Sequence, residues 1–401
     1  MHVCFFNRSY WPDFGATGQL LTELAEGLAR DHGWKVTVVT GYPLRTAMRP
    51  PAREHRNGVD IIRAAGTTFE PRRFSGRAVN YLTYFGSALL AGLRVARPDV
   101  VVALTDPPII GLAGLAAARR YRVPFVSLCQ DVFPEVAALV EDFQSPRVDA
   151  GLAAINRYIL RHASAIVALG ETMKRRLVEG KGADPAKIQV IHNWADCQAV
   201  APAPRQNAWS DAHGFADKFI ALHAGNVGLS QELDMVLDAA ARLRDRRDIT
   251  FVFVGDGVKK AALQQRAADL ALANVLFFPH QPKEAMPPWY ASSDVSLISL
   301  RRGLAGVIVP SKTYSALASG RPCIAAVEAD CEVAQIVTDA VCGRVIAPGD
   351  ASALAEAVAD LAGDREGARV MGERARAAAL RFDRPKQVAA YDALLRGLVT
   401  C

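Results

Sequence analysis

Residues 301–322, with the sequence RRGLAGVIVPSKTYSALASGRP, are the most informative stretch of the chain. The pattern predicts a loop, a short helix that opens at Pro310-Ser311-Lys312, and a stop at Gly320 before a new strand. The unpaired amides of the first helical turn, the helix dipole and the Lys312 ammonium together predict an anion site of the kind that a nucleoside diphosphate needs. A plainer interpretation, in which Ser311 only caps the helix and Lys312 is a solvated charge, fits this stretch alone equally well.

The length and composition of the chain predict two α/β domains. Its 401 residues exceed the ~250–300 residues over which a single core usually grows. A hydrophobic share of 51% and a charged share of 22% are typical of a soluble globular protein. The net charge of +6 suits phosphate-bearing ligands or an anionic membrane surface, but it is too small and scattered to indicate a partner nucleic acid.

The cysteines and the amino terminus indicate a cytoplasmic protein. The seven cysteines show no C-x-x-C spacing, which predicts buried, reduced thiols. The chain begins directly with a strand pattern, without a basic leader or a cleavage site, so we expect no secretion. Neither an Asp-x-Asp motif nor a His/Cys ligand cluster indicates a metal, and we expect no cofactor.

The most apolar segment, residues 78–93, is too short to cross a membrane. Arginines flank it on both sides: Arg72, Arg73 and Arg77 before it, Arg94 and Arg97 after it. This pattern fits either a helix that lies in a membrane interface or a buried crossover helix, and both interpretations stay open.

Strand and helix patterns alternate along the chain, which predicts parallel sheets covered by helices on both faces. The polar, Pro/Ala-rich stretch 197–209 interrupts this alternation and predicts a linker. We therefore expect one Rossmann-like domain over 1–203 and a second over 204–383.

Glycine-rich turns follow several of the predicted strands. Ligands of open parallel sheets bind beyond the carboxyl ends of the strands, and glycine lets the backbone approach a phosphate there. None of these turns has the G-x-G-x-x-G spacing with an acidic residue downstream, which argues against a dinucleotide-dependent oxidoreductase. The turns contain Gly15 and Gly18, Gly225 and Gly228, and Gly255 and Gly257.

Together these motifs resemble the GT-B glycosyltransferases of family 4, in their WcaI/WbuB-like branch. In the second half the resemblance rests on G-N-x-G at 225–228, V-G-D-G at 254–257 and P-S-K-x-Y-x-x-L-A-S-G-R-P at 310–322. In the first half it rests on FNRSYWPDFGATGQ at 6–19, QDVFPE at 130–135 and IHNWAD at 191–196. The resemblance implies the GT-B fold: two Rossmann-like domains whose parallel sheets face a central cleft, with a carboxy-terminal helix at 384–401 crossing back to the first domain.

The same resemblance implies the activity. A sugar, hexosyl, N-acetylhexosaminyl or deoxyhexosyl, would pass with retention from a nucleotide diphosphate sugar, UDP-linked by preference, to a sugar on a polyprenyl diphosphate. The product would serve bacterial O-antigen or exopolysaccharide synthesis. The enzyme would act in the cytoplasm, peripherally attached to the inner face of the cytoplasmic membrane, and without a metal.

The resemblance also assigns site residues. The group expected to bind the nucleotide and its diphosphate comprises Gly15, Thr17, Gly18, Gly225, Asn226, Gly228, Gly255, Gly257, Gln281, Ser311, Lys312, Tyr314 and Ser315. Contacts to the donor sugar are expected from Arg301, Gly306 and Val307. The catalytic candidates are Asp131, Glu135 and Lys312, of which Lys312 would stabilise the leaving diphosphate. Asp131 as a turn residue and Glu135 as a helix-capping residue are the alternatives, and His223 is expected to be structural.

Two departures from the family pattern leave other functions open. Many family-4 enzymes carry a pair of glutamates that touch the sugar and the ribose, whereas Val307 and Ser315 stand at the aligned positions. Gln231-Glu232 also replaces a frequent Lys-Gly pair, so Arg301 or Arg302 is the expected source of the missing positive charge. A GT-B-fold sugar-nucleotide epimerase and a non-catalytic protein that binds nucleotide sugars remain the alternatives.

Overall fold

The computed structural model describes residues 1–13, 15–43, 50–69, 74–140, 145–281 and 285–400. Arg72, Arg73, Cys401 and the side chain of Arg77 lie outside the described residues. The structure divides into two compact units, the first formed within 1–138, 143–192 and 385–401 and the second chiefly within 193–384.

The first unit is built on an 8-stranded sheet in the order β3-β4-β2-β1-β5-β6-β7-β8. Its strands are β1 (His2–Phe6), β2 (Lys35–Thr40), β3 (Arg53–Arg56), β4 (Val59–Arg63), β5 (Val100–Ala103), β6 (Phe125–Leu128), β7 (Ala165–Ala168) and β8 (Ile188–Val190). The strands run parallel except for β3, which pairs antiparallel with β4 at the edge. Every residue of β1 is buried, as expected for a central strand that is covered on both faces.

Helices follow the parallel strands of this unit. They are α1 (Ala16–His32), α2 (Phe74–Gly92), α3 (Ile110–Tyr121), α4 (Glu135–Val140), α5 (Pro146–His162) and α6 (Glu171–Lys181). Helix α1 buries Leu20, Leu21, Leu24 and Leu28 and ends at Gly33, whose φ of 68° forms a left-handed cap.

The second unit has a 6-stranded parallel sheet in the order β11-β10-β9-β12-β13-β14. The strands are β9 (Phe219–Ala224), β10 (Ile249–Val254), β11 (Val275–Phe278), β12 (Val295–Ser299), β13 (Cys323–Ala326) and β14 (Gly343–Ile346). The helices are α7 (Ala208–Ala212), α8 (Asp234–Arg242), α9 (Lys260–Asp269), α10 (Met286–Ser292), α11 (Lys312–Ala318), α12 (Glu332–Asp339), α13 (Ala351–Gly363) and α14 (Arg365–Ala379). This strand order places a topological switch point between β9 and β12, where ligands of such sheets bind.

The predicted linker 197–209 is held against the second unit by arginines. Arg205 donates to the Asp294 carboxylate at 2.9 Å. Arg321 donates to the carbonyl of Ala203 at 3.0 Å, and Arg376 donates to the carbonyl of Cys197 at 2.8 Å. These contacts explain why the two units divide at 192/193 rather than at the 203/204 position expected from composition.

The carboxy-terminal helix α15 (Arg384–Thr400) belongs, from residue 385 onward, to the first unit. Gly27 of α1 leaves room for Val388, because a Cβ at Gly27 would lie 3.1 Å from that side chain. The Trp34 indole donates to Asp392 at 2.6 Å. The expected return of this helix to the first domain is therefore confirmed.

Helix α2 combines features of both interpretations of segment 78–93. Tyr84 and Ala88 are buried, whereas Val79, Leu82 and Leu90 are 41%, 60% and 55% exposed. No helix within the described part of the chain is long and apolar enough to cross a membrane. The six cysteines that the structure describes are buried and free, as the sequence predicts.

Candidate functional site

Two glycine loops of the second unit meet at the switch point. Gly255, with a φ of 147°, lies so close to the loop after β9 that a Cβ there would stand 1.9 Å from the Gly225 carbonyl oxygen. A Cβ at Gly257 would stand 2.2 Å from the Val227 carbonyl oxygen. Only glycine fits at these two positions. The structure thus brings together the glycines that the sequence places in separate turns.

The amides of the loop after β9 differ in their availability. The Gly225 amide donates to the Val254 carbonyl at 2.8 Å and is therefore engaged within the unit. The Gly228 amide has a long contact of 3.5 Å to the Gln231 side chain. The Asn226 side chain lies beside Gly228, where a Cβ would approach its Nδ2 to 2.4 Å. Gly225 contributes conformation rather than a donor, whereas Gly228 is the better-placed amide for an anion.

Asp256 and Lys260 fasten the loop after β10 to the stretch that follows β11. The Lys260 ammonium donates to the carbonyls of Gly255 and Phe278 at 2.7 and 2.9 Å and pairs with Asp256 at 2.7 Å. The hydrogen bond from Lys260 lowers the pKa of Asp256. Asp256 also accepts from the His280 amide at 2.8 Å, and Gln281 follows directly. Lys260 was not among the residues expected at the site, although its spacing of four residues from Asp256 was a usable signal.

Lys312 begins α11 and extends toward the loop after β9. Its Nζ lies 3.4 Å from Nε2 and 3.5 Å from Nδ1 of His223, and its Cδ lies 3.9 Å from a Cβ built at Gly225. Burial lowers the pKa of the Lys312 ammonium to about 7, although the residue as a whole stays partly accessible. Burial, and then the Lys312 charge, hold the pKa of His223 well below its usual value.

No carboxylate pairs with Lys312 in the described ranges, which sets it apart from Lys259 and Lys260 of the same unit. A partly desolvated ammonium without a carboxylate partner, beside a glycine loop, has the chemistry of an anion site. Ser311 precedes α11, and its side chain makes no capping hydrogen bond. The plainer interpretation of Ser311 as a side-chain cap is therefore wrong.

The other residues expected at this site differ in how far they are buried. Tyr314 is fully buried and packs edge-on against Phe382 at 5.2 Å between ring centroids. Its side chain belongs to the core of the second unit, which corrects the expectation that it holds the diphosphate. Ser315 is partly accessible on α11. Val307 is also fully buried, so its side chain does not reach a donor sugar.

Glu328, which the sequence analysis missed, holds the loop that contains the donor-sugar candidates. Its Oε2 accepts from the amides of Gly303 at 2.9 Å and Ala305 at 3.3 Å. The Arg301 amide donates to the Ser230 carbonyl at 2.8 Å, which ties this loop to the one after β9. Gly306 turns the chain with a φ of 66°. Glu328 stands just beyond β13, and that position at the carboxyl edge was its signal.

Asp131 and Asp106 form an acidic site in the first unit, beyond the ends of β6 and β5. The Asp106 carboxylate accepts from Arg8 Nε at 3.1 Å and from Ser9 Oγ at 2.7 Å. Burial, reinforced by the charge of Asp106, raises the pKa of Asp131 to about 7. Gly18 packs on the same loop, since a Cβ there would lie 3.3 Å from the backbone of Ser9. Asp131 was expected at this site from the sequence, whereas Asp106 was not.

The remaining candidate site residues of the first unit have different surroundings. Gly15 precedes α1 with extended backbone, and Thr17 lies in the first turn, partly accessible. Glu135, the first residue of α4, forms an ion pair of 2.6 Å with Lys181, whose side chain is only 4% exposed. Glu135 therefore neutralises a buried ammonium, a role that the sequence analysis did not foresee.

Two protein-family models match the chain. The Glycosyl transferase 4-like domain covers residues 15–194, and the Glycosyl transferases group 1 domain covers residues 218–364. WcaI of Escherichia coli K12, named as a colanic acid biosynthesis glycosyl transferase, is 31% identical over 84% of this chain and 86% of its own. WbjE of Pseudomonas aeruginosa, named as a glycosyltransferase, is 27% identical over 86% of both chains.

Solved structures agree on the fold. Sucrose-phosphate synthase from Thermosynechococcus elongatus superposes with a TM-score of 0.82 at 16% identity, covering 100% of this chain and 99% of that one. Anabaena HepE in complex with UDP-glucose superposes with a TM-score of 0.77 at 19% identity, covering 99% and 100%. Both domain matches, the identity to WcaI and this fold show that the chain belongs to the GT-B glycosyltransferases of family 4, in the branch that contains WcaI.

Proposed function

We propose that this glycosyltransferase moves a sugar, with retention of anomeric configuration, from a UDP-sugar to a saccharide carried on a polyprenyl diphosphate. The reaction serves the synthesis of a bacterial surface polysaccharide, an O-antigen or exopolysaccharide. The observation that carries the proposal is the anion site of the second unit, where Lys312 has no carboxylate partner in the described ranges and lies beside the loop after β9. The choice of uridine follows HepE, whose structure contains UDP-glucose.

The chemistry requires stabilisation of a leaving group. When the bond between the anomeric carbon and the diphosphate oxygen breaks, negative charge develops on the diphosphate. A fixed ammonium and backbone amides aimed at that charge lower the barrier. Lys312 supplies the ammonium, and the loops that contain Gly228 and Ser311 supply the amides. The nucleobase occupies the side of the site formed by Gly257 and Gln281.

The acceptor hydroxyl binds to the first unit. Asp131, with a pKa raised to about 7, is partly ionised near neutral pH and orients the hydroxyl by accepting its hydrogen bond. The hydroxyl oxygen forms the new bond to the anomeric carbon. Its proton passes to the oxygen of the departing diphosphate, so the step needs no further base. Because Lys312 and the amides supply the positive charge, we propose that the enzyme uses no metal or other cofactor.

The location follows from the acceptor. A polyprenyl diphosphate is anchored in the bilayer, so the enzyme works in the cytoplasm against the inner face of the cytoplasmic membrane. The net charge of +6 favours such a surface, which carries anionic lipids.

A thermal-shift titration with UDP, GDP and dTDP in the absence of metal tests the donor site. A ligand at ~100 times its Kd adds roughly 2.7 kcal/mol to the free energy of unfolding. We expect UDP to stabilise the protein, and Lys312→Ala to abolish the shift. Lys218→Ala, which removes an exposed ammonium elsewhere in the same unit, should leave the shift intact. Absence of stabilisation by all three nucleotides would overturn the proposal.

A further inference from the structure

Arg8 lies in the loop after β1, at the carboxyl edge of the first sheet. Its Nε donates to Asp106 Oδ1 at 3.1 Å, and Ser9 Oγ donates to the other oxygen of that carboxylate at 2.7 Å. Neither Nη of Arg8 donates to a residue that the structure describes, and the side chain is 23% exposed. The guanidinium is therefore held at its Nε, while the N–H groups of both Nη atoms remain available to a ligand.

Neighbouring elements fix the plane of this guanidinium. Arg8 Cζ lies 5.1 Å from the centroid of the Tyr81 ring on α2, over the aromatic face. Gly41, after β2, leaves room for the side chain, because a Cβ there would lie 3.0 Å from Arg8 Cγ. Thr40 Oγ1 and the Gly41 amide donate to the Arg8 carbonyl at 2.8 and 2.9 Å. Because the guanidinium is already ordered, little side-chain entropy is lost when a ligand binds it.

Arg63, the last residue of β4, provides a comparison at the same edge of the sheet. Its side chain is fully buried and pairs with Glu54 at 2.8 Å. Its Nη1 also donates to the Pro51 carbonyl at 3.0 Å, and its Nη2 donates to the Trp11 carbonyl at 3.2 Å. Both Nη groups of Arg63 are thus used within the protein, which is the pattern of a structural arginine. Arg8 has the opposite pattern, with its Nε engaged and its Nη groups accessible.

The available edge of Arg8 has the chemistry of an oxyanion site. Two parallel N–H groups on a planar guanidinium match two oxygens of one phosphate or carboxylate. The Asp106 carboxylate does not occupy this edge, since it accepts from Arg8 Nε and Ser9 instead. Asp106 also adjoins Asp131, because its charge adds to the effect of burial in raising the pKa of Asp131. In the proposed function Asp131 orients the acceptor hydroxyl, so an anion bound beside Asp106 is part of the acceptor.

We propose that Arg8 binds the diphosphate of the lipid-linked acceptor, with its two Nη groups donating to oxygens of one phosphate. Asp106 and Tyr81 are positioning residues, which hold the guanidinium for this contact. The inference rests on the proposed function, because a polyprenyl diphosphate is the acceptor carrier named there. It assigns recognition of the carrier to a residue other than the one that orients the sugar hydroxyl. The contact is made with a single acceptor molecule, so a soluble probe can test it.

Titration calorimetry of the full chain with farnesyl diphosphate, a short polyprenyl diphosphate, tests this subsite. Saturating UDP is present throughout, so that the donor site around Lys312 is occupied. We expect the wild-type protein to bind farnesyl diphosphate more tightly than farnesol, which has the same hydrocarbon chain and no anion. Arg8→Lys keeps a positive charge beside Asp106 but loses the planar pair of donors. It should weaken binding of farnesyl diphosphate about ten- to a hundredfold.

Two further variants separate recognition of the diphosphate from the ion pair. Arg8→Gln with Asp106→Asn leaves no unpaired carboxylate and should lose at least as much affinity as Arg8→Lys. Arg157→Gln removes an exposed cation of α5 and should bind as the wild type does. Equal binding by Arg8→Lys and the wild type, an equal loss in Arg157→Gln, or equal affinity for farnesol would overturn the proposal. Binding of glucuronate through Arg8, without binding of farnesyl diphosphate, would overturn the choice of a diphosphate.

The thermal shift with UDP separates this proposal from the proposed donor site. Arg8→Lys and the double variant should keep the full shift, which also shows that they are folded. A wild-type protein that UDP stabilises but that does not bind farnesyl diphosphate would overturn the acceptor subsite alone. Binding of farnesyl diphosphate that depends on Arg8, in a protein that no nucleotide stabilises, would sink the donor site and leave the subsite standing.

Discussion

The Lys312 ammonium lies 3.4 Å from Nε2 of His223, and the two groups belong to different elements of the switch point, α11 and the end of β9. His223 is 1% exposed and stays neutral, because burial and the Lys312 charge both oppose its protonation. The pair therefore carries at most one positive charge, and it is Lys312 that holds it. An incoming diphosphate meets an ammonium whose proton is only weakly retained.

This relationship predicts that UDP binds more tightly as the pH falls through neutrality. In the free protein Lys312 loses its proton as the pH rises past about 7. A bound diphosphate favours the charged form, so affinity should fall above that pH by up to about tenfold per pH unit. Calorimetric titrations over a pH series, in buffers of different ionisation enthalpy, should show proton uptake on binding. Lys312→Arg, which stays charged, should flatten the profile, and an unchanged slope in that variant would contradict the assignment.

The Lys312 ammonium should lower the free energy of unfolding when no nucleotide is bound. The pKa of Lys312 is lower in the folded than in the unfolded state, so the unfolded state binds more protons from pH 7 to about pH 10. Its contribution is thus most unfavourable below pH 7 and fades as the pH rises. Lys312→Met should raise the free energy of unfolding at pH 6 by about 1–3 kcal/mol and abolish the UDP shift. If urea titrations show that Lys312→Met is less stable than the wild type, the charge of Lys312 does not destabilise the folded protein and the prediction is wrong.

Asp131 and Asp106 should be coupled in the pH–rate profile. Burial raises the pKa of Asp131 and the charge of Asp106 raises it further, so Asp106→Asn should lower that pKa and move the acidic limb to lower pH. Asp131→Asn should reduce kcat about a hundredfold through misplacement of the acceptor and leave the UDP thermal shift unchanged. Since its pKa is raised on folding, Asp131 lowers stability as the pH rises from 3.8 to about 7. Asp131→Asn should therefore be the more stable protein at pH 8, and a less stable one would refute the shift.

Glu135 should prove to be a partner of Lys181 rather than a catalytic acid. Glu135→Gln leaves a buried ammonium without its carboxylate, which should cost about 1–3 kcal/mol of unfolding free energy. Adding Lys181→Met to that variant should restore both stability and kcat, because no charge is then left unpaired. Chemical denaturation and initial rates measure the two effects. If the double variant is stable but inactive, Glu135 takes part in the reaction, as the sequence analysis proposed.

The sequence predicts those site residues whose type is required by the local backbone, such as glycines at the carboxyl edge of the sheet. Gly255 and Gly257 were expected at the ligand edge, and each excludes a Cβ because another loop passes there. Asp131 was also predicted, because it follows the carboxyl end of a strand and lies in a family motif. Asp106 and Glu328 follow strand ends too, but they belong to no motif and were not predicted. For Tyr314 the motif gave a wrong prediction. Its position in the motif suggested a contact with the ligand, but the structure places its side chain in the core. Pairs distant in sequence, such as Glu135 with Lys181, arise from tertiary packing that no local pattern encodes.

Glu328 holds the donor-sugar loop by accepting hydrogen bonds from two of its backbone amides. Its Oε2 accepts from Gly303 and Ala305, and a glutamine oxygen accepts the same bonds without the charge. Glu328→Ala should release the loop and lower kcat/KM for the UDP-sugar about tenfold, while the affinity for UDP itself stays within a factor of about two. Glu328→Gln should recover most of the loss. A matched loss of UDP affinity would show that Glu328 supports the diphosphate site instead, and failure of the glutamine rescue would show that its charge matters.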